Sequence, residues 1–311
     1  MKPTTTPGTT PGSEPQAGTG APATPRSPGT IVVATHNRSG RVVENVGRLL
    51  RLPDGWPVVV VDDASDDDTT EALHRAYGDR IRVLTLDRNH GAAARNRGVD
   101  IADTDVVAFA DDDSWWADGA LTAAAEVLRD DPDVGLVVAQ VIVEPDGRPD
   151  PIVTDLVHSP LTPTSSGPSV LGFLACGAVV RRRAFQSAGG FEPLLHIGGE
   201  EQLLAIDMRA TGWQLAYVDR VRAHHAPAHA DTGRRDRTAH QRRNEILVAV
   251  MRRPWPVVGR AVATMIRRAP TDPVTWRALA GVVRRLPAAV AVRRPVPPRL
   301  EAELTLLGNG A

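Results

Sequence analysis

The 311-residue chain is 42% hydrophobic and 23% charged, enough for one large domain or a medium domain with appendages. Its formal net charge of −1 gives no global field of the kind that marks a nucleic-acid binder, and with Cys176 as the only cysteine an intrachain disulfide is excluded and a cysteine-based zinc site disfavoured. No run of about 18 uncharged apolar residues predicts a spanning helix, and the opening segment lacks the apolar core of a signal peptide.

Residues 1–29 are dominated by Pro, Thr, Gly and Ala, too little apolar surface to offset the entropy of ordering, so a disordered tail is expected there. Order should begin at Ile31 with the β-branched run IVVAT, followed by the loop HNRSG. Val42, Val43, Val46, Leu49 and Leu50 have helical spacing over 41–52, and PDGWP breaks that helix. VVVVDD (58–63) reads as a buried strand ending in acids, 68–77 as a helix, IRVLTL (81–86) as a third strand, 91–102 as a third helix and DVVAFA (105–110) as a fourth strand. This alternation, with near-continuously apolar strands, predicts an α/β fold with a mostly parallel sheet between helix layers. Further on, 133–143 reads as a strand, 144–170 as a long loop and 172–185 as an extended segment running into a short helix. A helix over 198–213 and a strand over 214–219 come next, and then arginine-rich helices over 235–290.

In open α/β sheets, ligands bind beyond the carboxyl ends of the strands. Three polar clusters fall there: Thr35-His36-Asn37, Asp62-Asp63 and Asp111-Asp112-Asp113. Carboxylates are hard oxygen ligands suited to Mg²⁺ or Mn²⁺, which commonly combine one or two of them with substrate phosphates. On an extended chain, Asp111 and Asp113 share one side and Asp112 turns away; the competing reading is a solvated acidic turn. Asp62 or Asp63 can accept hydrogen bonds from a nucleobase or ribose, whereas Asp66, Asp67 and Asp68 suit a helix start. Arg95, behind three alanines, either pairs with a phosphate or is solvated. Glu200-Glu201 after two glycines supply either a general base or helix N-terminal acids. Of the adjacent His224 and His225, one at most faces the site.

IVVATHNR, VVVVDDASDDDT, NHGAAARNRG, FADDDSWW, CGAVVRRRAFQSAGGFEP and GGEEQLLAIDMRATGW, in this order, resemble the family 2 glycosyltransferases of GT-A fold over roughly residues 31–225. The resemblance implies a GT-A-type sheet with helices on both faces plus a C-terminal helical appendage. It also implies an inverting transfer from a nucleotide sugar, commonly a UDP-sugar. Thr35, His36, Asn37, Asp62, Asp63, Arg95, Asp111 and Asp112 become the expected donor-nucleotide set, with His36 where the family usually has an aromatic residue. Asp111 and Asp113 match the D-x-D pair for Mn²⁺ or Mg²⁺, and His224 falls near a histidine that completes the metal shell. Glu201, with Glu200 beside it, stands where the family's base is usually aspartate. Gly189-Gly190-Phe191 resembles the acceptor-side segment. Asp207 departs from the pattern, replacing an arginine.

The alternatives are a sugar-phosphate nucleotidyltransferase, for which THNRSG lacks the usual Gly-rich basic loop, and a non-catalytic nucleotide-sugar-binding protein. The division expected is a tail over 1–29, a transfer domain over 30–230 and an Arg-rich helical region over 231–311. Arg234, Arg235, Arg237, Arg242, Arg243, Arg252 and Arg253, with Trp255, suit either a helical appendage packed on the domain or a face on an anionic membrane. The expected setting is cytoplasmic, peripheral at the inner face of the cell membrane if the second reading holds. The acceptor, lipid-linked or small, is not legible.

Overall fold

The computed structural model describes residues 27–227 and 234–308 together with Met1, and for 234–236 the backbone alone. The expected disordered tail therefore lies, apart from its ends, outside the described residues. Strand β1 (Gly29–Thr35) begins two residues earlier than expected. Gly29 lies against Trp56, where a Cβ would stand 2.2 Å from the indole, so the strand can start only with a glycine at that place. The chain continues through α1 (Ser39–Leu49), β2 (Val58–Asp62), α2 (Thr69–Tyr77), β3 (Ile81–Thr85), α3 (Ala94–Ile101), β4 (Val106–Asp111), β5 (Ser114–Trp116), α4 (Ala120–Asp130) and β6 (Val134–Val143). Then come β7 (Arg148–Pro149), α5 (Ile152–Val157), β8 (Ala178–Arg181), α6 (Arg182–Ser187), α7 (Glu200–Ala210) and β9 (Gln214–His225). The chain closes on α8 (Arg234–Arg252), α9 (Trp255–Arg268), α10 (Pro273–Ala291) and α11 (Pro298–Leu306).

The main sheet has the order β3-β2-β1-β4-β8-β6-β9-β5, with β7 beside β6. β3, β2, β1 and β4 are mutually parallel, as their near-continuously apolar runs predict; β8 and β5 run antiparallel to their neighbours. The two-residue period of a strand divides each run between two cores. Ile31, Val33, Val58, Val60, Ala108 and Ala110 pack with Val42, Val46, Leu73, Leu121 and Leu128 of α1, α2 and α4. Val32, Val59, Val61, Val107 and Phe109 pack with Val99, Phe185, Leu204 and Met208 of α3, α6 and α7.

Helix α7 is apolar on two sides. Leu204 and Met208 face the sheet, while Leu203 and Ile206 face a third core with Ile246, Leu247, Val250 and Met251 of α8 and Val258, Val282, Leu300 and Leu304 beyond it. The C-terminal helices are thus built onto the sheet domain through α7. Bidentate ion pairs of α7 reinforce the joint, Arg252 with Asp207 and Arg209 with Glu303 (2.9 and 3.0 Å), and Arg253 with Glu301 (2.7 and 2.9 Å) ties the C-terminal helices to one another. Asp207, out of pattern in the sequence, has its guanidinium supplied by α8. Arg242 pairs with Asp272, and Arg243 is buried, donating to the Leu195 carbonyl. Four of the seven arginines therefore do structural work, as the reading of a helical appendage packed on the domain expects, because the second half of α8 is buried, while Arg237 is exposed. The side chains of Arg234 and Arg235 lie outside the described residues. Among the described residues, no helix is long and apolar enough to cross a membrane.

Candidate active site

The three aspartates form the turn between β4 and β5, held by the Ser114 hydroxyl, which accepts from the Asp111 N–H at 2.7 Å. In a turn, consecutive side chains fan outward, so the extended-chain expectation fails. Asp111 points to Arg95, and Asp113 points to Arg38 (3.4 Å), Arg41 (3.5 Å) and His225 Nε2 (3.5 Å). Asp112, expected to turn away, is buried in the site: it accepts from Thr35 Oγ1 at 3.2 Å and from Arg38 at 2.8 Å. Burial raises the Asp112 carboxyl above its ordinary pKa against the pull of Arg38. Burial also acts on Asp113, but His225, Arg38 and Arg41 outweigh it and hold that carboxyl below the usual range. Arginines meet the acidic run on every side, and two of them, Arg38 and Arg41, were not among the residues expected at the site. Their signal was Arg38 in the loop after strand 1, on the same sheet edge as the acids.

Asp62 and Asp63 sit at the end of β2, with β1 between them and the acidic turn, and both are buried. Asp62 accepts from the Ser65 N–H at 3.0 Å and the Thr70 hydroxyl, fixing the loop into α2. Asp63 accepts from the N–H groups of His90 and Gly91, both at 2.8 Å, fixing the loop into α3. An ionised carboxylate has about four lone-pair directions, so Asp63 retains acceptor capacity for a ligand. His36 Nδ1 lies 2.9 Å from the Asp63 carbonyl. Asn37 adopts φ 54°, its N–H donating to Ser65 Oγ and its side-chain oxygen accepting from the Asp66 N–H. These loops are therefore laced together before any ligand arrives.

Glu200 and Glu201 open α7 behind Gly198 and Gly199, whose φ of 86° and 88° are accessible to glycine and strained for other residues. Glu200 is buried, and its Oε2 has no hydrogen-bond partner among the described residues. Desolvation, with the Glu200 charge second, pushes Glu201 up to about 8, and burial raises Glu200 as well. Arg95 feels both glutamates as well as Asp111, which ties this helix start electrostatically to the turn after β4. Glu201 lies on the wall of a cavity of about 510 Å³ whose lining includes Leu156, Pro160, Leu171, Phe173 and Leu306. The segment 144–170 is thus more than a loop: it carries β7 and α5, and α5 walls this cavity.

Two further expectations are corrected. His224 does not face the acids. β9 runs on to His225, and alternation along it turns His225 to Asp113 and His224 to Glu144 (2.8 Å) and the Trp115 ring. Phe191 is not an acceptor contact: it is fully buried against Phe109 and Phe185, with its backbone clasped by the Asn96 side chain at 2.8 and 2.9 Å. The reading also missed Asn244, a buried side chain of α8 whose amide donates to the carbonyls of Leu195 (2.9 Å), Ile197 (3.0 Å) and Gly198.

In comparison with known proteins, the chain is 36% identical over 89 residues to validoxylamine A glucosyltransferase of Streptomyces hygroscopicus subsp. limoneus, covering 26% of this chain and 19% of that one. It is 32% identical over 95 residues to the succinoglycan biosynthesis protein ExoU of Rhizobium meliloti (strain 1021), covering 29% and 28%. It spans about half or less of the length of the curated relatives it matches. The fold is similar to that of the mannosyltransferase PcManGT from Pyrobaculum calidifontis in complex with GDP-Man and Mn²⁺, at TM-score 0.57, 19% identity and coverage of 90% and 86%. It is also similar to TarS 1-349 from S. aureus, at TM-score 0.56, 17% identity and coverage of 90% and 88%. The profile of glycosyl transferase family 2 matches residues 30–189, half of the chain, from β1 through the acidic turn to the end of α6, and the chain belongs to that family.

Proposed function

We propose that the chain transfers a glycosyl group from a nucleotide sugar to an acceptor hydroxyl, with inversion and with Glu201 as general base. The observation that carries this is the meeting of two unlike halves. One is a loop-and-carboxylate edge made by Thr35, His36, Asp63, Asp112 and Asp113. The other is a glutamate of raised pKa on a cavity wall, linked to that edge through Arg95. A carboxylate with a pKa near the working pH is suited to taking a proton as a bond forms. In the reaction, the acceptor oxygen attacks the anomeric carbon and Glu201 takes the hydroxyl proton. The carbon–oxygen bond to the diphosphate breaks, and its electron pair leaves with the nucleoside diphosphate. Arg38 and Arg41, half exposed beside the aspartates, are placed to receive that diphosphate's charge.

The donor set fits a divalent cation. A carboxylate and an imidazole lie side by side at Asp113 and His225; no third such side chain joins them among the described residues, so substrate phosphate oxygens would complete the shell, as they do where Mg²⁺ is held by one or two carboxylates. Asp113 and His225 would hold it, and once bound it offsets the negative charge developing on the leaving group. Asp63 and the His36–Asn37 turn form the base and ribose side, and the cavity beside Glu201 the acceptor side. In this reading residues 30–230 are the transfer domain and 231–311 its helical buttress. Family membership favours transfer over nucleotidyl exchange. The test is Glu201→Gln, scored by sugar release or transfer from a panel of nucleotide sugars with Mn²⁺ and Mg²⁺. Turnover is expected to fall by about 100- to 10,000-fold with donor affinity retained. Unchanged turnover removes Glu201 from the role, and metal-dependent donor binding without any turnover in the native chain would favour a binding protein instead.

A further inference from the structure

We propose that the outer face of α10 is a docking surface for an anionic lipid membrane. The 19-residue helix buries Thr275, Ala278, Val282 and Ala289 against the rest of the molecule. Its opposite side carries Trp276, Ala280, Val283, Pro287 and Val290, at alternating steps of four and three residues, and every one is exposed. Helix geometry places these five in one stripe, running about 21 Å along the axis at 1.5 Å per residue. Trp276 is 60% exposed, Val283 71% and Val290 45%, and Leu286 extends the stripe on one flank. Exposed apolar residues scattered singly need no explanation, but a continuous stripe on one helix does.

The charges around it identify the occupant. Between Pro254 and Pro298 the chain carries Arg260, Arg267, Arg268, Arg277, Arg284, Arg285, Arg293 and Arg294 against a single acid, Asp272. Asp272 is already engaged by Arg242. Arg277 and Arg284 border the stripe directly, one and eight residues after Trp276. On α9, Ile266 is 55% exposed and is followed by Arg267 and Arg268. An apolar stripe with a tryptophan, flanked by arginines and free of acids, is the pattern of a helix lying in the headgroup region of anionic lipid. An acidic protein surface would match the arginines but leave the stripe unexplained; a second copy of the chain would cover the stripe but bring arginines against arginines. Of the two readings of the arginine-rich end, the membrane face thus falls on α10, while Arg242, Arg243 and Arg252 of α8 are engaged within the molecule. The inference is independent of glycosyl transfer.

The test is flotation of the full chain with vesicles of phosphatidylcholine alone and of phosphatidylcholine mixed with phosphatidylglycerol, at low and high salt. Binding is expected to the mixed vesicles at low salt, to weaken at high salt, and to fall by about tenfold or more in Val283→Glu. Because residue 283 is exposed, that variant should keep the native melting temperature, which circular dichroism checks. Trp276→Phe should lose the quenching of tryptophan fluorescence by brominated lipid that the native chain shows. The proposal is overturned if the native chain does not float with the mixed vesicles, if Val283→Glu binds as well as the native chain, or if Val283→Glu instead abolishes a dimer seen by sedimentation without lipid.

Discussion

Asn244 belongs to the C-terminal helices, yet its amide is bonded into the loop that delivers Glu201. It donates to Leu195, Ile197 and Gly198 from a fully buried position. In Asn244→Ala the Leu195 carbonyl keeps the Arg243 guanidinium at 2.9 Å, while the carbonyls of Ile197 and Gly198 lose this donor and the Arg243 Nε–H loses its acceptor. At about 1–3 kcal/mol for each unsatisfied buried group, with some relief from water, the loss of stability should be about 2–4 kcal/mol. That corresponds to a fall of roughly 5–15 °C in Tm for a domain of this size. The loop also loses the tie that holds Gly198 and Gly199 in their left-handed conformation, and a misplacement of about 1 Å at a base costs on the order of 100-fold in rate. Asn244→Ala should therefore lower kcat well below the native value at a temperature where it is still folded, with KM for the nucleotide sugar little changed. Calorimetry and steady-state kinetics measure the two effects separately. If Tm drops as calculated while kcat stays native, Asn244 merely packs, and the claim that the C-terminal helices position the base is wrong.

Glu201 predicts a pH dependence on both activity and stability. As a base it works deprotonated, so kcat/KM should rise with pH and level off above about 8, a rise that Glu201→Gln lacks. Burial is the main cause of that value, with the charges of Glu200, Arg95 and Asp111 acting beside it. The same shift makes the folded state hold a proton that the unfolded chain releases from about pH 4.5 upward, so stability should fall as pH rises from there to about 8. Thermal melts should accordingly show Glu201→Gln gaining on the native chain across that window, and an equal slope for both would contradict the assignment. His225→Ala should weaken Mn²⁺-dependent donor binding in calorimetric titration and His224→Ala should not, since only His225 faces Asp113; equal losses would refute the choice. Asp207→Arg and Arg252→Asp should each cost about 3–5 kcal/mol in denaturant unfolding, and the double exchange should recover part of it; no recovery would mean that the pair does not couple.

The parts of the molecule that were legible in the sequence are those governed by local period. The strands from β1 to β4 could be read because runs such as VVVVD and VVAFAD admit only strands buried on both faces, and their order with the intervening helices leaves a parallel sheet as the economical solution. That sheet edge then collects Asp63 and the three aspartates without any knowledge of distances. What failed was direction. Whether Asp111 and Asp113 converge depends on the backbone at Asp112, and a turn there sends them to Arg95 and Arg38 respectively. Whether His224 or His225 faces the acids depends on the register of β9 against β5, which no local pattern reveals, since either parity gives the same alternation. The roles of Arg252, Asn244 and Asp207 were illegible for a further reason: each is defined by a partner more than 40 residues away. Asp207 illustrates the point. Read alone it is a residue out of pattern, but a carboxylate only partly exposed between helices calls for a cation, and the cation need not be near in sequence. The arginine-rich end of the chain could have been searched for it, because a helix that buries Ile246, Leu247 and Val250 must bury its neighbouring arginines with them or turn them to a carboxylate. By the same reasoning, where arginines outnumber acids, as they do around the apolar stripe of α10, the excess positive charge is left to attract an anionic surface.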